Sequence, residues 1–443
     1  MIKASSERYR LEPVTRVGGT IKVPGDKSIS HRALMLGGIS EGATQVTGFL
    51  ESADCLATMA ALRALGVRIE QPTPNAVTVI GGGAHGLRAS SAPLDMGNAG
   101  TAMRLSMGLL CGQAFSSTLV GDASLMQRPM ERVAKPLRLM GARIDTREGR
   151  PPVVLHGGAP LRGIDYALPV ASAQVKSALL LAGLQARGIT RVTEQAPTRD
   201  HTERMLGGFG ATVTRRGTTV ELVGGQPLRG TSIKVPGDFS SAAFFIVAGC
   251  LAAVEGLTLR GVGINPTRTG LLDMLRLMGA KIIVTPLAEA GPEPLADIAV
   301  HASALHGVTI PRELVPLAID ELPILFIAAA CATGETVVTG AEELRVKESD
   351  RLAAMAEGLS ALGVQCALLA DGIRIQGVPG GRLSGGRVLS HGDHRIAMSF
   401  AMASIRATGP IEIDDVANVA TSFPAFADAA RGIGLSLQEL PAP

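Results

Sequence analysis

The chain has 443 residues, 46% of them hydrophobic, and its 42 basic against 39 acidic side chains leave a formal charge of only +3. That length exceeds one ordinary core and predicts two or three domains. The near-balance of charge, with 3% aromatics and no tryptophan, excludes a nucleic-acid footprint or a polybasic membrane surface. Five widely spaced cysteines without a CxxC pair read as reduced thiols of a cytoplasmic protein.

In chain order, Met1–Arg8 lacks the apolar stretch of a secretory signal and reads as a short disordered tag. Val23-Pro24-Gly25-Asp26-Lys27-Ser28-Ile29-Ser30-His31-Arg32 then combines a forced turn with a helix start that Asp26 or Ser28 can cap. Free N–H groups and the positive dipole end favour an anion there, and Lys27 and Arg32 add full charges. The same turn recurs as Val235-Pro236-Gly237-Asp238-Phe239-Ser240-Ser241-Ala242-Ala243-Phe244. What both copies share is what the turn and cap require. The cations, replaced in the second copy by phenylalanines, are not what folding requires.

One helix-to-strand signature, an apolar residue followed by glycine and another apolar residue, returns six times, at Gly66, Gly141, Gly210, Gly279, Gly363 and Gly434. Each follows an amphipathic stretch such as Arg132 to Met140, so the glycine is expected to end a helix in the left-handed conformation. Six polar clusters interleave with these, beginning near Asp26, Gly97, Ala171, Asp238, Ile319 and Asp393, each running into a helix of small apolar residues. Segments such as Ala178 to Leu184, Phe244 to Val254 and Ile327 to Ala332 lack a polar face and fall well short of a membrane span, so they are expected to be inner helices buried all round. The economical arrangement points their six N-termini into one anion-attracting cleft.

The expected fold is therefore α/β, with two similar domains, each of three repeated α/β units with buried inner helices and outer sheets. Residues 26–236 form an inserted domain, and residues 1–25 with 237–443 form a discontinuous one. A hinge is expected at the two Val-Pro-Gly-Asp turns. Thr285 to Pro294 and Gly377 to Gly386 read as surface loops.

Several motifs carry charge into these helix starts. Gly121 to Met130 places Arg128 before Pro129, which biases the arginine toward extended backbone and suits a carboxylate or phosphate clamp. In Leu344 to Arg351, Lys347 and Arg351 are expected four apart on one helix face with Glu348 beside them. Asp320 and Glu321 precede a wholly apolar helix, where carboxylates are paired, catalytic or capping. His391-Gly392-Asp393-His394 has no further ligand at metal spacing, and no nucleotide-binding glycine motif or HExxH is present. Lys27, Arg32, Arg128, Arg199, Lys347, Arg351 and Arg395 against Asp320 and Glu348 describe a site for two or more anionic groups.

Taken together, GDKSISHR, GNAGTAMR, the Gly121 to Met130 loop, SAQVKSA, TRDHTE, IDELP, LRVKESDR and DHRIAMS resemble the 5-enolpyruvylshikimate-3-phosphate synthase family, over nearly the whole chain from Gly19 on. The resemblance implies the inside-out α/β barrel of the enolpyruvyl transferases. It also implies transfer of the enolpyruvyl group of phosphoenolpyruvate to the 5-hydroxyl of shikimate 3-phosphate, in a monomer without cofactor or metal and sensitive to glyphosate. It places Lys27, Ser28, Arg32, Ser172, Ala173, Gln174, Arg199, Asp320 and Lys347 on shikimate 3-phosphate, and Lys27, Gly100, Arg128, Gln174, Arg351 and Arg395 around phosphoenolpyruvate. Asp320 is implied to take the hydroxyl proton, with Lys27 and Glu348 moving protons at the methylene carbon. Thr421 stands where some members carry a lysine. The related UDP-N-acetylglucosamine transferases carry a reactive cysteine in the loop matching Gly121 to Met130, which has none here. A non-catalytic anion binder would be expected to lose Lys27, Asp320 and Glu348 first.

Overall fold

A computed structural model describes residues 8–288 and 291–441. The chain divides into two compact units. The inserted unit is Gly25–Val235 with a short later segment ending at Glu293. The flanking unit comprises the N-terminal stretch through Pro24, Pro236–Ala288 and everything from Pro294 on. The expected disordered tag lies outside the described residues except for Arg8, which instead opens a strand, Arg8–Glu12.

Each unit carries three small sheets, five of them four-stranded and one three-stranded, and they stay separate rather than closing into one hydrogen-bonded barrel. In five of the six an edge strand runs parallel to its neighbour, which pairs antiparallel on its other side, while the three-stranded sheet of Glu335–Val338, Gly372–Gln376 and Gln365–Leu369 is antiparallel throughout. In the inserted unit Leu94–Asp95 runs parallel to Ser117–Val120 and Asp165–Ala167 to Ile189–Thr193, while Ser232–Lys234, last in the unit, pairs with Glu41–Thr47, its first long strand. In the flanking unit Gly19–Ile21 runs parallel to Leu257–Gly263 and Gly386–Leu389 to Ile411–Asp414. The N-terminal strand Arg8–Glu12 inserts between Ile411–Asp414 and Ser436–Leu440, so the start of the chain completes its last repeat.

The six glycines explain the repeat. All have φ between 81° and 105°. The residue after each donates its N–H to the carbonyl five positions back, as in Val67 to Leu62 and Leu435 to Ala430, both at 3.0 Å. This satisfies a carbonyl the ending helix would otherwise leave open, and it does so only with a left-handed residue at the glycine.

The inner helices are Lys27–Ile39, Gly100–Leu110 and Ala173–Gly183 in the inserted unit, and Phe239–Ala252, Leu322–Ala330 and His394–Ala403 in the flanking one. Every residue of Phe239–Ala252 and of Leu322–Ala330 is buried. With no polar face, these helices can only be enclosed, and the sheets and amphipathic outer helices enclose them. Close approach is built in: a methyl group on Gly108 would lie 2.1 Å from the Ala178 carbonyl oxygen, so these two inner helices need glycine to touch. Among the described residues no helix is long and apolar enough to cross a membrane.

Two expected surface loops differ. Glu293, read as part of a loop of the discontinuous domain, groups with the inserted unit, and its carboxylate is buried against His201 Nδ1 at 2.6 Å. In the Gly377 to Gly386 segment Leu383 is fully buried, because its backbone bridges to Ala407.

Candidate functional site

In the inserted unit the turn works through its cap. Asp26 Oδ1 accepts from the Ile29 N–H at 2.9 Å, which settles the choice between Asp26 and Ser28. Gly25 is required by contact, since a methyl there would fall 1.9 Å from the Gly48 carbonyl oxygen. Lys27, at the helix start, pairs with Asp54 at 2.9 Å, a residue the sequence reading missed. Arg32, 4% exposed, donates to Thr202 Oγ1 at 2.7 Å, Ser177 Oγ at 2.8 Å and the Ser28 carbonyl at 3.0 Å. Burial pulls its guanidinium down to about 10, with Glu203 and Asp26 opposing and Arg199 adding to the fall. Arg199 is thus near enough to Arg32 to repel it. These partners make Arg32 part of the packing, contrary to the expectation that the cations stand apart from folding.

His31, between them in sequence, is fully buried beside Thr58 Oγ1 at 2.8 Å. Burial, then the positive charges of Lys27 and Arg32, hold it down to about 3, so it is a neutral packing group.

A second cluster gathers Gly100, Arg128 and Gln174. Arg128 has the extended backbone its proline dictates, φ −78° and ψ 142°. Its guanidinium donates to Asn98 Oδ1 at 2.6 Å and to Ser124 Oγ at 3.2 Å. A methyl on Gly100 would lie 3.0 Å from Arg128 Nη1 and 3.4 Å from Arg104 Nη1. Gln174 accepts from Arg104 and donates to Thr101 Oγ1 at 3.0 Å. Ser172 caps the Ala173–Gly183 helix, so Ala173 contributes its place at the helix start rather than a side-chain contact. Arg104, 5% exposed and one turn into its helix, was also missed, because no spacing or turn signal marks it. The same holds for Lys176, fully buried between Glu194 at 3.0 Å and Glu203 at 2.7 Å.

In the flanking unit the charges converge on Asp320. Lys347 Nζ stands 3.5 Å and Arg351 Nη1 3.1 Å from its Oδ1, and Arg395 Nη1 donates to its backbone carbonyl at 2.9 Å. Arg351 also holds Glu348 and, through Nε at 2.8 Å, Asp393. Burial, the largest single influence on Arg351, lowers its pKa, but Asp393, Glu348 and Asp320 together outweigh it and raise the value above the ordinary range. Asp393 caps the last inner helix by accepting from the Arg395 N–H at 2.9 Å, so one buried carboxylate orients both arginines. Lys347 and Arg351 do not share a helix face as expected. The helix begins at Arg351, and Lys347 lies before it with ψ −148°. They meet at Asp320 because the chain turns there. Thr421 donates its hydroxyl to the Asn418 carbonyl at 2.6 Å.

The chain is similar to known proteins over nearly its whole length. The chain is 60% identical over 430 residues to the 3-phosphoshikimate 1-carboxyvinyltransferase of Alkalilimnicola ehrlichii, covering 97% of this chain and 96% of that one. It is equally identical over 431 residues to that of Methylococcus capsulatus, with 97% and 98% covered. An EPSP synthase structure from Acinetobacter baumannii superposes with a TM-score of 0.87 at 54% identity, covering 97% of this chain and 99% of that one. The enolpyruvyl transferase NikO from Streptomyces tendae shares the fold at 18% identity with a TM-score of 0.81, covering 99% and 100%. Residues 11–429 match the model of the EPSP synthase (3-phosphoshikimate 1-carboxyvinyltransferase) family, and the chain belongs to that family.

Proposed function

We propose that the residues gathered at these helix starts carry out the reaction of the family, transfer of the enolpyruvyl group of phosphoenolpyruvate to the 5-hydroxyl of shikimate 3-phosphate with release of phosphate. The observation that carries the assignment of roles is the convergence of Lys347, Arg351 and Arg395 on Asp320, with Glu348 on Arg351. Asp320 takes the proton of the attacking hydroxyl as oxygen bonds to the central carbon of phosphoenolpyruvate. Lys27 delivers a proton to the methylene carbon, which makes that central carbon electrophilic. Phosphate then leaves with the electron pair of its C–O bond, while Glu348 removes a proton from the new methyl group and restores the double bond.

Arginines suit the anions of both substrates, because their fork donates two parallel bonds to a carboxylate or phosphate. In this reading Arg128, Arg351 and Arg395, with Lys27, Gly100 and Gln174, hold phosphoenolpyruvate. Lys27, Ser28, Arg32, Ser172, Ala173, Gln174, Arg199, Asp320 and Lys347 hold shikimate 3-phosphate. Those ligands come from both units, so shikimate 3-phosphate is expected to compact the monomeric chain about its Val-Pro-Gly-Asp turns. Small-angle scattering unchanged by that ligand would remove the hinge. The direct test is phosphate release from phosphoenolpyruvate with each of two acceptors. Turnover with shikimate 3-phosphate and none with UDP-N-acetylglucosamine is expected. Binding of the substrates without phosphate release would overturn the proton roles of Lys27, Asp320 and Glu348.

A further inference from the structure

The second Val-Pro-Gly-Asp turn begins a helix with no cation on it, yet it is not electrostatically idle. Its Ser240 hydroxyl donates to Glu321 Oε1, and Arg268 Nη2 donates in turn to Ser240 Oγ and reaches Asp238 Oδ1 at 3.4 Å. Glu321 is 1% exposed and takes two ion pairs on the same oxygen, Arg268 at 3.7 Å and Arg395 at 3.8 Å. Its other oxygen, Oε2, is buried with no hydrogen-bond partner among the described residues.

This carboxylate does not serve the helix it precedes. It sits at the N-cap of the Leu322–Ala330 helix but makes no side-chain cap bond to it. A fully buried carboxylate with one oxygen unsatisfied is costly, and here its other oxygen is engaged by Ser240 and two arginines. What it does touch is the arginine next to the proposed catalytic base. Arg395 is held at two points of one dipeptide, by the Asp320 carbonyl at 2.9 Å and by the Glu321 carboxylate.

We infer that Glu321 is a positioning residue for Arg395, anchored through Ser240 and Arg268 to the second turn, and that it sets how well the chain holds phosphoenolpyruvate. The inference rests on the reading of Arg395 as a phosphoenolpyruvate ligand. The charge of Glu321 offsets that of Arg395 before substrate arrives and fixes where the guanidinium sits. The anion of phosphoenolpyruvate then meets an arginine already in place, without first ordering a long side chain. The second turn thereby serves the site indirectly, where the first serves it with its own side chains.

Steady-state kinetics on Glu321→Gln, Ser240→Ala, Arg395→Ala and the Glu321→Gln/Arg395→Ala double variant test this, with thermal unfolding of each. Glu321→Gln is expected to raise KM for phosphoenolpyruvate on the order of tenfold to a hundredfold, the scale of a misplaced binding group. KM for shikimate 3-phosphate should stay within about twofold of the parent value, and Glu321→Asp, which keeps the charge, should recover part of the loss. Ser240→Ala, a smaller change that keeps the test alive if Glu321→Gln does not fold, should move the same KM in the same direction by less. In the Arg395→Ala background Glu321→Gln should add nothing. Equal effects on both KM values, or effects that add fully to Arg395→Ala, would make Glu321 merely structural and overturn the inference. A raised KM in Arg395→Ala with a parental one in Glu321→Gln and Ser240→Ala would overturn positioning alone. A parental KM in Arg395→Ala would overturn the ligand reading and the inference with it.

Discussion

The two Val-Pro-Gly-Asp turns set their aspartates in nearly the same backbone conformation and lead to opposite content. Asp26 has φ −61° and ψ 123° and Asp238 φ −66° and ψ 120°, and each caps its helix through a carboxylate oxygen. Both glycines are demanded by crowding, Gly25 by the Gly48 carbonyl and Gly237 by the Val23 side chain 2.9 Å from where its methyl would stand. Beyond the cap they part. Lys27 and Arg32 find Asp54, Thr202 and Ser177, whereas Phe239 and Phe244 are 1% and 2% exposed and Phe244 meets Phe426 edge-on at 6.4 Å. Turns of like backbone can thus open onto charged groups or onto an aromatic core, and their caps differ too, Asp26 accepting from Ile29 three residues on and Asp238 from Ser240 two residues on.

The comparison breaks most sharply at the proton carriers. Glu348→Gln and Lys27→Met are expected to reduce turnover by about two or more orders of magnitude, the scale of a positioned acid or base. Lys27→Met also leaves Asp54, whose side chain is 8% exposed, without its cation, so its stability should fall as well. Rapid-quench turnover beside denaturant melts separates the two effects, and near-parental turnover in either variant would refute its role.

Next come the caps themselves. Asp26→Ala should cost about 1 kcal/mol, as a lost N-cap does. Asp238→Ala should cost about 3 kcal/mol or more, because it also strips Arg268, 3% exposed, of a buried partner. Equal shifts in denaturant midpoint would mean that the second turn holds no more than a cap.

At Gly100 the comparison narrows to one methyl group. Glyphosate is longer than phosphoenolpyruvate, and an alanine there would press on Arg128 Nη1 at 3.0 Å. Gly100→Ala is expected to weaken glyphosate more than phosphoenolpyruvate, by about 1–3 kcal/mol of discrimination, or roughly 10- to 200-fold. Inhibition assays on parent and variant decide it, and a parent already resistant would show that this position alone does not set the fit.

The effect that vanishes at neutral pH concerns the histidine between the two cations. Folded His31 stays neutral down to about 3, whereas the unfolded residue titrates near 6.5. Between those values the unfolded state binds a proton that the folded state refuses, so stability falls as pH drops through 6.5, by up to about 1.4 kcal/mol per pH unit. Above 6.5 the residue contributes no pH dependence. Urea unfolding of parent and His31→Gln from pH 7 to pH 4 should therefore differ in slope, and parallel profiles would contradict a buried neutral ring.

Much of the architecture was legible because it repeats. A glycine that must be left-handed, an apolar residue after it and an amphipathic stretch before it are local requirements, and local requirements are written in consecutive residues. The inner helices were legible for the same reason, since a segment with no polar face has only one place to go. The charged residues of the site were visible as unusual charges at helix starts, and the family resemblance sorted them into roles.

What the sequence alone determined was the repeat, the glycines that end its outer helices, the inner helices with no polar face and most of the helix starts that carry charge. Only the tertiary structure decided what each charge answers to. Asp54 meeting Lys27, Thr202 and Ser177 meeting Arg32, Asp393 meeting Arg351, and Glu321 meeting Ser240 of the second turn are pairings between residues 27 to 170 positions apart. No period or motif encodes them. A buried arginine needs acceptors from whichever segments the fold brings beside it, and the fold is set by apolar packing summed over the whole unit, which fixes those neighbours without marking them in the sequence.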